Sequence, residues 1–228
     1  MRAATGPRPS VAEPEAPRII TVLAGTNGGG KSSIGGALLR QAGGDYFNPD
    51  EAAHRFREMD PSLSQREANG RAWHEGKRLL QRAIAERRSF LFETTLGGRT
   101  MTDLLDRAAE AGLELRIWYI GLQSPDQHIE RVRARVAHGG HDIPEEDIRR
   151  RSVRSIENLV RLLPKLSELR LFDNSAEGDP QAGHRPAPRL LLHMKHGKIV
   201  GPDLSELRRT PTWAKAVVAA ALRIHRDD

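Results

Sequence analysis

The sequence contains no cysteine among its 228 residues. It therefore has no disulfide bonds and no thiolate metal sites, a composition that fits a cytoplasmic protein. No apolar run approaches the roughly 18 residues that a membrane-spanning helix needs, and the N-terminus has no apolar signal-peptide core. We therefore expect a cytoplasmic protein without a membrane anchor.

Aromatic residues are also scarce, at 4% of the chain, and they are not interleaved with the basic residues. The net charge of +6 and the pI near 10.1 are compatible with two kinds of partner. One is nucleic acid bound to a basic patch, and the other is a polyanionic small molecule held in an arginine-rich pocket. The scarcity of aromatic residues disfavours nucleic acid, because single-stranded binders commonly stack bases on aromatic side chains.

A phosphate-binding motif follows the first apolar run. Residues 25–32 read G-x-x-x-x-G-K-S, after the apolar residues 19–24 and before an apolar helical pattern at 33–40. Such glycine loops direct backbone N–H groups at phosphates, while the lysine neutralises the β- and γ-phosphates and the Ser32 hydroxyl binds Mg²⁺. The predicted nucleotide-binding residues are Gly25, Thr26, Asn27, Gly28, Gly29, Gly30, Lys31, Ser32 and Ser33.

Strand and helix patterns alternate along the chain, which predicts a doubly wound α/β fold with a mostly parallel sheet of five or slightly more strands. Four prolines in residues 1–17 indicate a disordered tail, and residues 18–176 form the predicted core. We expect residues 177–228 to be an extension made of a loop, a small hairpin and a last helix, packed on the core. A capping-box pattern, Ser64-x-x-Glu67, predicts a helix whose apolar face includes Trp73.

Ligands of open α/β sheets bind at the carboxyl ends of the strands, and two polar groups occupy such positions. Asn48-Pro49-Asp50 is either a turn and helix cap or a site where the Asp50 carboxylate accepts a proton from an attacking hydroxyl. Glu93-Thr94-Thr95 is either a helix cap or a hydrogen-bonding rim for a polar acceptor. Function is slightly favoured for this second group, because a buried glutamate is rare without a partner.

Two arginine clusters flank a glycine-containing joint at residues 137–142, Ala137 to Asp142. They are Arg131, Arg133 and Arg135 before it, and Arg149, Arg150 and Arg151 after it. Arginines can stabilise the charge of phosphoryl transfer, but a solvated charged face explains most of these residues. We expect only one or two to point at the nucleotide, and we expect His138 and His141 to be loop or capping residues rather than metal ligands.

Together these motifs resemble the zeta-toxin family. The resemblance covers residues 18–175 and includes the phosphate-binding loop, residues 47–51, residues 93–96, and the segment from Arg135 to Arg151. It implies a P-loop kinase-like three-layer α/β sandwich that transfers the γ-phosphate of ATP, with Mg²⁺, to a hydroxyl of a nucleotide-sugar such as UDP-N-acetylglucosamine. It also implies a toxin that is inhibited by a small antitoxin protein.

The resemblance assigns roles residue by residue. Asp50 matches the catalytic base, while Arg135 and either Arg150 or Arg151 match the arginines that hold the ATP phosphates. Glu93 and Thr95 match the acceptor-binding strand end. The predicted acceptor-binding residues are Asn48, Asp50, Glu93, Thr94 and Thr95, and we place Lys31, Arg135 and Arg151 with Asp50 as catalytic residues. No aromatic platform for a uracil ring is evident. The alternatives are a P-loop kinase of another small molecule, an ATP-dependent nucleic-acid-binding protein, and an interaction module with a vestigial loop.

Overall fold

A computed structural model describes residues 18–31, 35, 46–176 and 187–227. Their backbone forms one seven-stranded sheet and seven α-helices. The strands are β1 (Ile19–Ala24), β2 (Tyr46–Phe47), β3 (Phe90–Thr94), β4 (Glu114–Gly121), β5 (Glu168–Asp173), β6 (Arg189–Lys195) and β7 (Lys198–Gly201). The helices are α1 (Pro49–Met59), α2 (Gln65–Ala85), α3 (Arg99–Glu110), α4 (Pro125–Ala137), α5 (Glu145–Leu162), α6 (Leu204–Leu207) and α7 (Lys215–Asp227).

The sheet order is β2-β3-β1-β4-β5-β6-β7. The first five strands in this order are parallel, and β6 and β7 extend the sheet with antiparallel pairing. The carboxyl ends of the parallel strands therefore meet at one edge, where the loops after β1, β2, β3 and β4 converge. The predicted phosphate loop, Asp50 and Glu93 all lie at this edge.

Apolar residues on both faces of the sheet explain why its central strands are buried. In β1, Ile20, Val22 and Ala24 pack into the large core, while Leu23 packs into a second cluster with Trp118. A parallel strand with both faces covered has the near-continuous apolar run seen at residues 19–24.

Side-chain caps fix where two helices near this edge begin. The Asn48 side chain accepts hydrogen bonds from the backbone N–H groups of Asp50 and Glu51, so α1 begins directly after β2. Ser64 and Glu67 form the predicted capping box at the start of α2. The helix α1 was not predicted as an element, although the capping role of Asn48 was one of the two hypotheses.

The predicted hairpin forms, but it is not a separate addition to the sheet. β6 pairs with β5 from Glu168 to Asp173, so the central sheet has five parallel and two antiparallel strands, in keeping with the predicted mostly parallel sheet of five or slightly more strands. Trp213, which precedes α7, packs on the core at Gly121, where an added Cβ would lie 2.4 Å from its ring. Residues 189–227 therefore share the hydrophobic core with residues 18–176.

Several predictions fall on residues outside the described ranges. These are the disordered tail at 1–17, the residues Ser32 and Ser33, and most of the loop predicted at 177–188. Among the described residues, no helix combines the length and apolarity needed to cross a bilayer.

Candidate functional site

The loop after β1 has the backbone conformation that a phosphate cradle requires. Gly25, Gly28 and Gly30 adopt positive φ values of 141°, 78° and 87°, in a region that side chains with a Cβ disfavour. Space is limited as well, because a Cβ on Gly25 would lie 2.2 Å from the Ile120 carbonyl oxygen. Lys31 has helical backbone at the end of the loop, and its Nζ donates to the Gly25 carbonyl oxygen at 3.1 Å.

Three residues from other elements hold this loop in place. His128 Nδ1 is 2.8 Å from the Asn27 carbonyl oxygen, and the Asn174 side-chain amide donates to the Gly29 carbonyl oxygen at 3.0 Å. Arg131 in turn donates to the Asn174 carbonyl oxygen at 2.7 Å. Burial lowers the pKa of His128 to about 4, so the ring is neutral at physiological pH and Nδ1 donates its proton to Asn27.

Charged side chains converge on the Lys31 ammonium. Burial lowers its pKa, the carboxylates of Glu93 and Asp50 act in the opposite direction, and the guanidinium groups of Arg135 and Arg151 lower it further. Two carboxylates and two arginines from four separate elements therefore lie near the tip of one lysine. The sequence placed all five in the site, and the fold brings them together.

Asp50 lies in the first turn of α1, with its side chain 54% exposed. Its Oδ2 is 3.6 Å from Nη1 of Arg135, and Nη2 of Arg135 donates to the His141 carbonyl oxygen at 3.2 Å. The Arg135 Nε is buried and has no hydrogen-bond partner among the described residues. The Arg135 guanidinium thus bridges the glycine joint after α4 and the carboxylate predicted to be the base.

Glu93 is the buried carboxylate of the site, with 7% of its surface exposed at the end of β3. Its Oε1 accepts a hydrogen bond from the Tyr46 hydroxyl of β2. Burial raises the pKa of Glu93, against the opposing effects of Lys31 and the Tyr46 hydrogen bond, and it also raises the pKa of Tyr46. Tyr46 is therefore a neutral donor that orients the glutamate.

The two threonines after Glu93 shape the turn that follows β3. Thr94 Oγ1 accepts from the Leu96 N–H at 3.2 Å, and Thr95 Oγ1 accepts from the Gly97 N–H at 3.4 Å. Neither caps a helix, because α3 begins after Gly98 without a side-chain cap. Both hydroxyls retain hydrogen atoms that can be donated, so they fit the predicted rim.

These residues open onto a cavity of about 940 Å³. It is bounded by the loop at Asn27, by α1, α2 and α3, by the ends of β2 and β3, and by the segment from His141 into α5. Its lining includes Asp50, Glu93, Thr94, Thr95, Arg150 and Arg151. A volume of this size accommodates a ligand as large as a nucleotide-sugar.

Five of the six clustered arginines pair with carboxylates. Arg149 pairs with Asp126 at 2.5 Å, Arg133 pairs with Glu145, and Arg150 pairs with Asp147. Arg151 is different, because its Nη1 donates to the Asn27 side chain at 3.1 Å within the phosphate loop. Arg135 and Arg151 are therefore the two that lie closest to the predicted nucleotide site, while Arg131 of α4 supports the loop through the Asn174 carbonyl oxygen.

Sequence reasoning missed His128, Asn174 and Tyr46. Asn174 directly follows β5, so the rule that ligands bind at carboxyl ends of parallel strands also selects it. His128 and Tyr46 carry no local signal, because their partners are 101 and 47 residues away in the chain. A metal ligand at Ser32 lies outside the described residues, and the described part contains no group of three or more His, Asp or Glu side chains arranged for a metal ion.

Comparison with known proteins adds a family and a fold. The family model described as an AAA domain matches residues 20–154, which is more than half of the chain. An uncharacterised protein of Haemophilus influenzae is 30% identical over 127 residues, which cover 56% of this chain and 87% of that protein.

Two solved structures have similar folds. AvrRxo1-ORF1:AvrRxo1-ORF2 with sulphate ions superposes with a TM-score of 0.61 at 16% identity and covers 86% of this chain; this chain spans 64% of the AvrRxo1 chain. A structure from the PezAT chromosomal toxin–antitoxin system of Streptococcus pneumoniae superposes with a TM-score of 0.54 at 12% identity, covering 95% of this chain and 90% of that one. The fold is α/β and P-loop kinase-like.

Proposed function

The chain belongs to the AAA domain family, and from that premise we propose that it is an ATP-dependent kinase of zeta-toxin type. In this proposal it transfers the γ-phosphate of ATP to a hydroxyl of a nucleotide-sugar such as UDP-N-acetylglucosamine. The observation that carries the proposal is the convergence of Asp50, Arg135 and Arg151 on Lys31, with Asp50 and Arg151 lining one cavity.

The glycine loop is the donor site in this proposal. Lys31 leaves the Gly25 carbonyl oxygen and binds the β- and γ-phosphates, whose charge offsets the effect of burial on its pKa. His128 and Asn174 keep the loop in shape from behind, so the phosphates meet preoriented N–H groups. Ser32 is the proposed Mg²⁺ ligand, and the metal would neutralise phosphate charge in the transition state.

Asp50 is the proposed general base. Its carboxylate accepts the proton of the acceptor hydroxyl while that oxygen attacks the γ-phosphorus, the bond to the ADP oxygen breaks, and ADP leaves. Exposure to the cavity gives Asp50 access to an incoming hydroxyl, and the ion pair with Arg135 orients its carboxylate.

The arginines are proposed to stabilise the transferring phosphoryl group. Arg135 is 3.6 Å from Asp50, and Arg151 is hydrogen-bonded to Asn27 in the loop, so both guanidinium groups border the space between donor and acceptor. Negative charge develops on the equatorial phosphoryl oxygens during transfer, and arginine stabilises that charge. Arg150, which is paired with Asp147, is the less favoured phosphate ligand.

The acceptor side is proposed to be Asn48, Glu93, Thr94 and Thr95. Glu93 is held by Tyr46 and lines the cavity, so it accepts hydrogen bonds from acceptor hydroxyls, while the two threonines donate. A small antitoxin partner and a cytoplasmic location complete the proposal. The likeness of the fold to a protein of a toxin–antitoxin system is in keeping with that partner.

The proposal is tested by incubating the purified protein with γ-labelled ATP, Mg²⁺ and a panel of UDP-sugars, and by identifying labelled products with mass spectrometry. We expect one labelled nucleotide-sugar from the wild type. Lys31→Ala should lose both phosphoryl transfer and ATP binding. Lys215→Ala, at an exposed lysine that does not line the cavity, should retain both. A wild-type protein that binds ATP but labels no UDP-sugar would refute this acceptor class.

A further inference from the structure

The 940 Å³ cavity extends well beyond the proposed reaction centre. Helix α2 lines its wall from Arg66 to Gly76. Gly76 lies at the end nearest Asp50, because a Cβ added to Gly76 would be 2.6 Å from Phe47, which precedes the Asp50 turn. Ten residues of α-helix span about 15 Å. An acceptor that fills the cavity must therefore reach far past the hydroxyl that receives the phosphoryl group.

Trp73 lies on this wall and is 40% exposed. The sequence placed it on the apolar face of α2 with Ala72 and Leu80, but only those two are buried. The ring is held by its own helix, with the Lys77 Nζ 5.7 Å from the ring centroid and the His74 ring 4.9 Å away in an edge arrangement. A fixed indole in a cavity wall offers a surface for a planar ligand group.

Two unpaired cations share the cavity with Trp73. Arg66 of α2 and Arg154 of α5 both line it, and neither forms a hydrogen bond or an ion pair with another residue in the described parts of the chain. This separates them from Arg149, Arg150 and Arg151, which all have carboxylate partners. Free guanidinium groups at a cavity wall are suited to phosphate oxygens, which they bind with two parallel hydrogen bonds.

We propose that Trp73 is the platform on which the base of the acceptor stacks, and that Arg66 and Arg154 bind the phosphates next to that base. The site then selects a nucleotide-linked acceptor over a free sugar or a sugar phosphate that lacks a base. This inference rests on the proposed function, and it assigns acceptor recognition to residues of α2 and α5 that lie outside the motifs on which the resemblance rests.

Kinetics with two acceptors test the role of Trp73. UDP-N-acetylglucosamine carries a base, whereas N-acetylglucosamine 1-phosphate does not. Trp73→Ala should raise KM for the first acceptor about 5- to 150-fold with little change in kcat, the range expected for losing one base–aromatic stack. Trp73→Phe should restore most of the affinity, and neither change should affect the second acceptor. Met59→Ala, at a side chain 82% exposed outside the cavity lining, is the control.

A binding measurement separates this inference from the proposed function. With an ATP analogue bound, UDP or GDP should quench the fluorescence of the wild type but not that of Trp73→Phe, which retains Trp118 and Trp213. Arg66→Ala and Arg154→Ala should each weaken this binding. Quenching without any phosphoryl transfer would refute the proposed kinase activity but would still support a base-stacking role for Trp73. Transfer with an unchanged KM in Trp73→Ala, or no quenching by either nucleotide, would overturn the platform.

Discussion

Replacing Asp50 with Asn is the sharpest single perturbation of the proposed mechanism. The two side chains have the same shape, and the Asp50 backbone N–H would still donate to the Asn48 cap. The ion pair with Arg135 is exposed, and such pairs contribute about 0–1 kcal/mol to stability. We therefore expect the free energy of unfolding to change by no more than about 1 kcal/mol, because the loss of one first-turn charge is also a small effect.

The effect on catalysis should be much larger. A positioned general base contributes about 10²- to 10⁴-fold to a rate, which corresponds to about 3–5 kcal/mol in the activation barrier. Asn cannot accept the proton of the acceptor hydroxyl, so kcat should fall by this factor. ATP binding should change little, since the phosphates are bound by Lys31 and the glycine loop in the proposed mechanism.

The assay is ADP release coupled to detection of the phosphorylated acceptor, with ATP affinity measured separately by calorimetry. Glu51→Gln is the matched control, because Glu51 is an exposed carboxylate in the same first turn of α1 and does not line the cavity. If the two variants lost the same small fraction of kcat, Asp50 would be no more than a helix-terminal charge, and the assignment of the base would be wrong.

Three further predictions concern the loop and the fold. Gly30→Ala should weaken ATP binding at least about tenfold in calorimetry. The left-handed backbone conformation alone costs a residue with a Cβ about 1–2 kcal/mol, and the added Cβ would lie 2.3 Å from an amide nitrogen. Gly70→Ala, at a glycine with open space around it, should leave ATP binding unchanged. As pH falls from 6.5 towards 4, His128 becomes protonated in the unfolded chain before it does so in the folded protein. The free energy of unfolding should therefore decrease by up to about 3 kcal/mol over this range. Urea titrations at several pH values should show that His128→Gln lacks this contribution. Gly121→Ala should lower the free energy of unfolding by about 1–3 kcal/mol in the same titrations, because the added methyl group would overlap Trp213.

Each of these predictions has a clear contrary result. Equal ATP affinities of the Gly30 and Gly70 variants would mean that the loop conformation does not determine phosphate binding. A pH dependence unchanged by His128→Gln would mean that this histidine is not the buried neutral donor described above. An unaltered urea midpoint in Gly121→Ala would show that Trp213 does not pack tightly on β4.

The main elements of the fold could be predicted because their signals are local. The apolar run at 19–24, the capping box at Ser64 and the proline at 125 each mark an element boundary within a few residues, and the structure confirms them. The joining of β6 to β5 could not be predicted, since strand pairing depends on contacts between distant residues. The sequence therefore predicted the hairpin but not that its two strands would extend the central sheet.

The site could be predicted as far as residue type and strand position allow. Asp50 follows β2 and Glu93 lies at the end of β3, and the carboxyl ends of these strands meet, so their proximity to Lys31 follows from the parallel topology. The orientation of side chains was not accessible, because Trp73 has the spacing of a core residue and yet faces the cavity. The same limit hid Tyr46, whose hydroxyl orients Glu93 from a neighbouring strand.

The most direct measurement is a crystal structure of the protein with a non-hydrolysable ATP analogue and UDP-N-acetylglucosamine bound together. The proposed mechanism predicts that Lys31 Nζ has moved from the Gly25 carbonyl oxygen to the phosphates. It also predicts an acceptor hydroxyl within about 2.6–3.2 Å of an Asp50 carboxylate oxygen and in line with the γ-phosphorus. An acceptor whose hydroxyls all lie beyond hydrogen-bonding reach of Asp50, with that carboxylate still paired to Arg135 or turned into solvent, would contradict it.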